Sequence, residues 1–562
     1  MGLAGAGCCA VMAAAFANGA GSGTSRMSGG PRARQTEEDT VAVDQRDDTG
    51  RTPELRRNLK LWQVIGLSVG LMAPSMAISI NPQGAIAAVG RAIPLSFLIS
   101  MVGALLVAYG FSRLSQHFHN SGSVLGLVGA TLGPRAGVVA AWCLSGTYLL
   151  FALLTGVTAG IYGTLLAQAV GIVHGDPAWL QYALGTVAIL GAGLLAAVPT
   201  SKATDMILSF EGVTVSLIAV VAVVVLAELI GRSGPGHLPF TWSVFAPAKG
   251  TTVSNVFLGV VFGFLSFGGF EAAAALGGEA AKPRRDIPRA LLGTVGAIGV
   301  FYVAISAIEV MGFGTTKAGL AHFAASPALL GTLGQTYVAP WFGDLIMLGT
   351  VVSAFGCSMA SAVGASRMIY SFARDGLSPS HPLARLSPRW ATPIPAVSVV
   401  VGTEIVVEIA LAAIVGAAPL SLFAWAGFVS TLLLLVAYGL VTVGAGLFLV
   451  FRAPASGKPA SAVTRVADAL VPLAGLALLA YTIYRNLVPY PTGPDAWLPV
   501  VSAAWLAISL GYVVLSPASS RRLGQRMVLD EGLGSDSGSV APLRTTGSVG
   551  GGVSPAAPGA AR

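Results

Sequence analysis

The chain has 562 residues, of which 54% are hydrophobic and only 10% charged, and its formal net charge is +8. Soluble domains carry about 25% charged residues, so a large soluble body is excluded. The basic excess is spread over short loops and points to membrane topology rather than to nucleic-acid binding.

The four cysteines (Cys8, Cys9, Cys143 and Cys357) make no paired framework, and the last two sit in apolar segments as free core thiols. The six histidines are dispersed and no GxxxxGK[ST] loop occurs. No cofactor, metal or nucleotide-driven step is expected.

In chain order, residues 1–57 are rich in Gly, Ser and charge and read as a disordered tail, with Met1 or Met27 as its first residue. Twelve apolar spans follow, at about 61–80, 92–115, 136–172, 178–198, 204–230, 252–278, 288–314, 342–373, 394–416, 420–451, 466–487 and 496–516. The expected fold is an all-α polytopic membrane protein. If spans 1–5 and 6–10 are inverted repeats, residues 58–452 form one core and residues 453–518 add two more spans. A Gly/Ser/Pro-rich tail, 519–562, is expected to be disordered.

Loop charge tests the count. Alternate loops on one side hold thirteen Lys and Arg, among them Arg113, Lys202, Arg284, Arg285 and Arg374. The opposite loops hold five: Arg91, Arg232, Lys249, Lys317 and Arg485. Both basic termini join the richer side, which the positive-inside rule makes cytoplasmic.

Two spans are interrupted. "GLSVGLMAPSMAISINPQGA" (Gly66–Ala85) carries Pro74, which removes a backbone donor. "FGFLSFGGFEAAAALGGEAAKPRRDIPRALL" (Phe262–Leu292) carries the Gly268–Gly269 pair and then an acid, Glu271. One reading is a pair of packing kinks. The other rests on their matched places in the two halves, because interrupted helices in corresponding positions mark a ligand site at the membrane midplane. Freed amides suit an anionic group there and freed carbonyls a cationic one, so a zwitterion fits the pair.

An acid within a span faces the protein interior and often marks an ion or proton path. Glu271 is therefore a proton-coupling group, an acceptor that holds the broken helix, or a direct substrate contact. Glu211, in span five, poses the same question. Glu279 is expected to pin the following loop through Lys282. Glu404 and Glu408, four apart in span nine, share one helix face, which must be buried or wet.

Three stretches resemble a known family. "FGGFEAAAALGGEAAKPRRDIPRAL" (Phe267–Leu291) resembles the sixth-helix signature of the amino acid–polyamine–organocation transporter superfamily. "GASRMIYSFARDGLSP" (Gly364–Pro379) resembles its eighth helix, and "FSRLSQHFHNSGSVLGLVGATLGPRAGVVAAW" (Phe111–Trp142) its entry to helix three.

The resemblance covers about residues 60–450 and implies a leucine-transporter-like fold with helices one and six unwound at the centre. It implies a substrate carboxylate at Ala73, Pro74, Ser75 and Met76, and a substrate amine at Phe267, Gly268, Gly269 and Phe270. One of the two phenylalanines would close over the substrate. The sequence departs from the family in having "MAPSM" where many members have Gly-Ser-Gly-Ile. "GTVVSAFGCSMAS" (Gly349–Ser361) lies where sodium-coupled relatives hold an ion.

The resemblance thus implies a secondary active amino acid transporter of the bacterial cytoplasmic membrane, not an enzyme. Glu271 and Glu211 are its ion-coupling candidates, with a proton favoured over sodium. A polyamine, nucleobase or other organic-cation carrier, or an exchanger, is the alternative.

Overall fold

The computed structural model describes residues 61–118, 123–175, 177–198, 201–248, 250–276, 280–377, 381–390, 392–451 and 462–530. The expectations for Cys8, Cys9, Lys249, Glu279 and residues 1–57 lie outside the described residues, as do those for 531–562 and for the Lys202 side chain.

Among the described residues the chain is helical, with no strand. The first apolar stretch, Leu61–His117, is one helical run of 57 residues. At 1.5 Å per residue it is about 85 Å long, more than twice the ~30 Å hydrocarbon core. It therefore makes two passes. α1 (Leu61–Met72) and α2 (Pro74–Val89) form the first, and a short turn at Gly90–Ala92 leads into α3 (Ile93–His117). Ten further apolar helical stretches follow, so the eleven stretches carry twelve passes.

The third to fifth passes are α5 (Pro134–Ala169), α6 (Ala178–Ala196) and α7 (Ser201–Gly231), with α4 (Val124–Leu132) lying before α5. The sixth is divided into α8 (Val253–Phe267) and the one-turn α9 (Ala272–Ala275). The seventh is α10 (Pro283–Phe313). Two short helices, α11 (Lys317–Ala325) and α12 (Leu329–Tyr337), separate it from the eighth, α13 (Pro340–Phe372). The remaining passes are α14 (Ile394–Ala410), α15 (Pro419–Phe451), α16 (Ala462–Leu487) and α17 (Leu498–Leu515).

Two of the short helices, α4 and α11, start on side-chain caps. The Ser123 hydroxyl accepts from the Gly126 amide and that of Thr316 from the Gly319 amide, each satisfying a first-turn donor.

Helix pairing follows the two halves. α5 packs against α13, α3 against α10, and α6 against α14, each pass against its counterpart five passes later. The α15–α5 contact mirrors α7–α13, and α2 packs along α8.

Burial sets the layers. In α5 94% of the apolar window is buried, against 28% in α6 and 22% in α14, so α5 is a central post and the other two face lipid. Cys143 and Cys357 are free and buried.

One departure concerns the expected C-terminal tail. Pro517–Asp530 forms α18, packed on α4 and α5. Leu523, Met527 and Val528 are buried among polar neighbours, an amphipathic stripe too short and too charged to register as a span.

Candidate functional site

The first interruption is a single residue. Ala73 adopts left-handed angles (φ 43°, ψ 62°), which cost a non-glycine residue about 1–3 kcal/mol. Pro74 then opens α2 at a position where its missing amide costs nothing. The amides exposed by the restart are met by side chains of other passes. Ser75 N–H donates to Glu211 Oε1 at 2.7 Å, and Met76 N–H to Ser353 Oγ at 3.4 Å. On the other side of the break, Cys357 Sγ donates to the Leu71 carbonyl at 3.1 Å and the Tyr302 hydroxyl approaches the Met72 carbonyl at 3.5 Å. Glu211 is 4% exposed, so a helix start and an acid are buried together.

The second interruption runs from Gly268 to Glu271. Gly269 has φ 110°, and a Cβ there would lie 2.8 Å from Leu71 Cγ. Glycine is required both for the turn and for the approach of α1. Glu271 closes the turn on itself by accepting from Gly269 N–H at 2.9 Å. It also accepts from the hydroxyls of Tyr148 (2.8 Å, α5) and Tyr438 (2.6 Å, α15). Three donors on one buried carboxylate compensate much of its desolvation.

The two breaks are tied directly. Ser68 of α1 donates to the Phe270 carbonyl at 2.9 Å and accepts from Ala273 N–H at 3.2 Å. Phe267 and Phe270 are fully buried. Phe267 lies edge-on to Tyr302, and Phe270 packs on Phe111 and Tyr438.

Between the breaks lies a small cavity of about 10 Å³, room for roughly one water. Its walls are Leu71, Met72, Met76 and Ala77 from the first pass and Leu265 and Gly268 from the sixth. Phe151, Leu154 and Thr155 of α5, Cys357 of α13 and Asn81 of α2 complete it. No charged side chain borders it.

A second cavity, about 430 Å³, opens beside α1, α7 and α13, with Arg367 its one charged lining residue. Leu71 borders both cavities.

Of the eight residues expected at the breaks, Met76 and Gly268 border the central cavity. Ala73, Pro74 and Gly269 form the turns, Ser75 is engaged by Glu211, and the two phenylalanines pack behind. Sequence reasoning missed the braces Tyr148, Tyr438 and Ser68 and the lining residue Asn81. It also passed over Glu309 of α10, which is fully buried with no hydrogen-bond partner on either oxygen. A search for every acid inside an apolar span would have found Glu309. Glu404 and Glu408 are buried, and Glu408 Oε2 accepts from Thr186 of α6 at 3.0 Å.

Known proteins agree with this architecture. Residues 59–514 match the family model described as amino acid permease. Branched-chain amino acid permease BcaP of Bacillus subtilis is 24% identical over 61% of this chain and 73% of its own length. The low-affinity putrescine importer PlaP of Escherichia coli is 24% identical over 60% of this chain and 72% of its own length. An uncharacterized transporter of Mycobacterium tuberculosis is 27% identical over 66% and 77% respectively. With two interrupted helices facing each other across a small cavity and a family match over most of its length, the chain belongs to the amino acid permeases of the amino acid–polyamine–organocation superfamily.

Proposed function

We propose that this permease is a proton-driven carrier of small apolar amino acids in the bacterial cytoplasmic membrane, with both termini in the cytoplasm. The observation that carries the substrate class is the central cavity: aliphatic, aromatic and sulfur side chains surround it and no acid or base borders it. An apolar side chain gains there, whereas the second ammonium of a diamine would be desolvated without a counter-charge. The similarity to a branched-chain amino acid permease supports the same class; the similarity to a putrescine importer makes the diamine the competing outcome.

The cavity is too small for a substrate in this conformation. Binding requires α1 and α8 to part at Leu71, which separates the site from the larger cavity. Rocking of the broken helices against the α5–α13 frame supplies alternating access.

The coupling group in this proposal is Glu211, which joins α7 to the start of α2 through Ser75. A proton on Glu211 weakens that bond and loosens the first break. Glu271 is the brace of the second break, because its oxygens are already held by three donors. Protons are favoured over sodium because acids are buried in the fifth and sixth passes, Glu211 and Glu271, where such groups mark proton paths.

The test is uptake of labelled leucine, isoleucine, valine, lysine and putrescine into proteoliposomes in sodium-free buffer, with and without an inward proton gradient. Gradient-driven accumulation of the branched-chain amino acids is expected. Accumulation of putrescine instead would overturn the substrate class, and uptake indifferent to the gradient would leave an exchanger.

A further inference from the structure

We propose that Asn81 is the side chain that holds the substrate's ammonium group. The proposal rests on the reading of the chain as an amino acid carrier with its substrate between the two breaks.

Asn81 lies two turns beyond the first break, borders the central cavity and is 2% exposed. Its Nδ2 donates to Ser266 Oγ at 2.6 Å, next to the second break. The single hydroxyl proton of Ser266 goes to the Phe262 carbonyl at 3.0 Å. The amide is accordingly assigned with its nitrogen on Ser266 Oγ. Asn81 Oδ1 is thus the acceptor left free, and it has no hydrogen-bond partner in the protein.

The other side-chain hydrogen-bonding groups around the cavity are engaged. Thr155 donates to the Phe151 carbonyl at 2.7 Å, and Cys357 to that of Leu71. At the adjacent break, the Ser266 carbonyl accepts from Tyr302, Phe267 from the Phe270 amide, Gly269 from the Ala272 amide and Phe270 from Ser68. Four carbonyls at the sixth-pass break, those of Ser266, Phe267, Gly269 and Phe270, thus already hold a donor. What the cavity offers is a buried, oriented side-chain carbonyl among apolar walls.

A buried acceptor without a donor is costly, and an ammonium, which has donors and no acceptor, relieves that cost. The same atom gives nothing to a carboxylate. It can take one amine, and no acid borders the cavity to take a second.

The experiment compares equilibrium binding of leucine with that of 2-hydroxy-4-methylpentanoate, which keeps the carboxylate and side chain but lacks the ammonium. Purified full-length protein is used as parent, Asn81→Leu, Asn81→Asp and Ser266→Ala. The parent is expected to prefer leucine at least about 10-fold, the range of one charge-assisted hydrogen bond. Asn81→Leu, similar in volume but without an acceptor, brings the ratio close to one, and Asn81→Asp keeps the preference.

Ser266→Ala frees the amide to rotate and lowers the ratio severalfold, which serves if Asn81→Leu does not fold. A parental ratio in folded Asn81→Leu or Ser266→Ala overturns the proposal while leaving the amino-acid reading intact. A parent that binds no amino acid overturns both.

Discussion

The Glu211 carboxylate of α7 receives the Ser75 amide proton at 2.7 Å, so an acid from the fifth pass caps the helix that restarts in the first. A negative group at a helix N-terminus is stabilised by the helix dipole and the open amides. Neutralising it removes that attraction, which is the route by which the proposed proton on Glu211 would act on the break at Ala73.

The first prediction follows from that contact. Glu211→Gln keeps an acceptor for Ser75 but cannot exchange a proton. Accumulation driven by a proton gradient is expected to fall at least about 10-fold, with exchange of internal for external substrate retained. Parental accumulation by the variant would remove Glu211 from the coupling step.

Glu271 is predicted to behave differently. Each tyrosine bond to its carboxylate is worth about 1.5–3 kcal/mol. Tyr438→Phe and Tyr148→Phe should each lower thermal stability in detergent by that order, and Glu271→Ala by more than either. Glu271→Gln should lose stability yet keep whatever proton dependence the parent shows. A folded Glu271→Gln variant of parental stability that has lost only the gradient response would reverse the roles of the two acids.

The architecture was legible because it rests on composition and period. Apolar runs of about 20 residues and alternating loop charge are local properties, and they located the twelve passes. Pro74 and the Gly268–Gly269 pair likewise announce a broken helix by their own chemistry.

What surrounds the breaks was not legible. Tyr148, Tyr438 and Asn81 are single polar residues in apolar runs, and their partners lie between 123 and 185 positions away in sequence. Only the fold brings them together. The helix at Pro517–Asp530 was obscured for another reason: its buried stripe is three side chains wide and needs α4 and α5 to give it meaning.

Gly269 tests the close approach of the two breaks. Its φ of 110° and the Cβ position 2.8 Å from Leu71 Cγ leave no room for a methyl group. Gly269→Ala should destabilise the protein by about 1–3 kcal/mol from backbone strain and abolish uptake. Gly293, with open space around its Cβ position, is the control, and Gly293→Ala should leave uptake unchanged. Equal behaviour of the two variants would mean that the sixth pass is not held as described.

The last prediction concerns the frame. Arg113 of α3 meets Asp468 of α16 through two bonds, at 2.8 and 2.7 Å, and Tyr109 donates to the same carboxylate at 2.7 Å. The Asp468 side chain is 9% exposed and that of Arg113 22%. This pair is therefore screened by water less than a surface ion pair, though not fully buried. Asp468→Asn leaves the guanidinium facing a neutral amide and should lower stability by about 1–3 kcal/mol, less than the loss from a fully buried pair. Because no residue of α16 borders the central cavity, the variant should keep the parent's apparent affinity for leucine while unfolding at lower temperature. A changed affinity at unchanged stability would place α16 in the transport cycle rather than in its support.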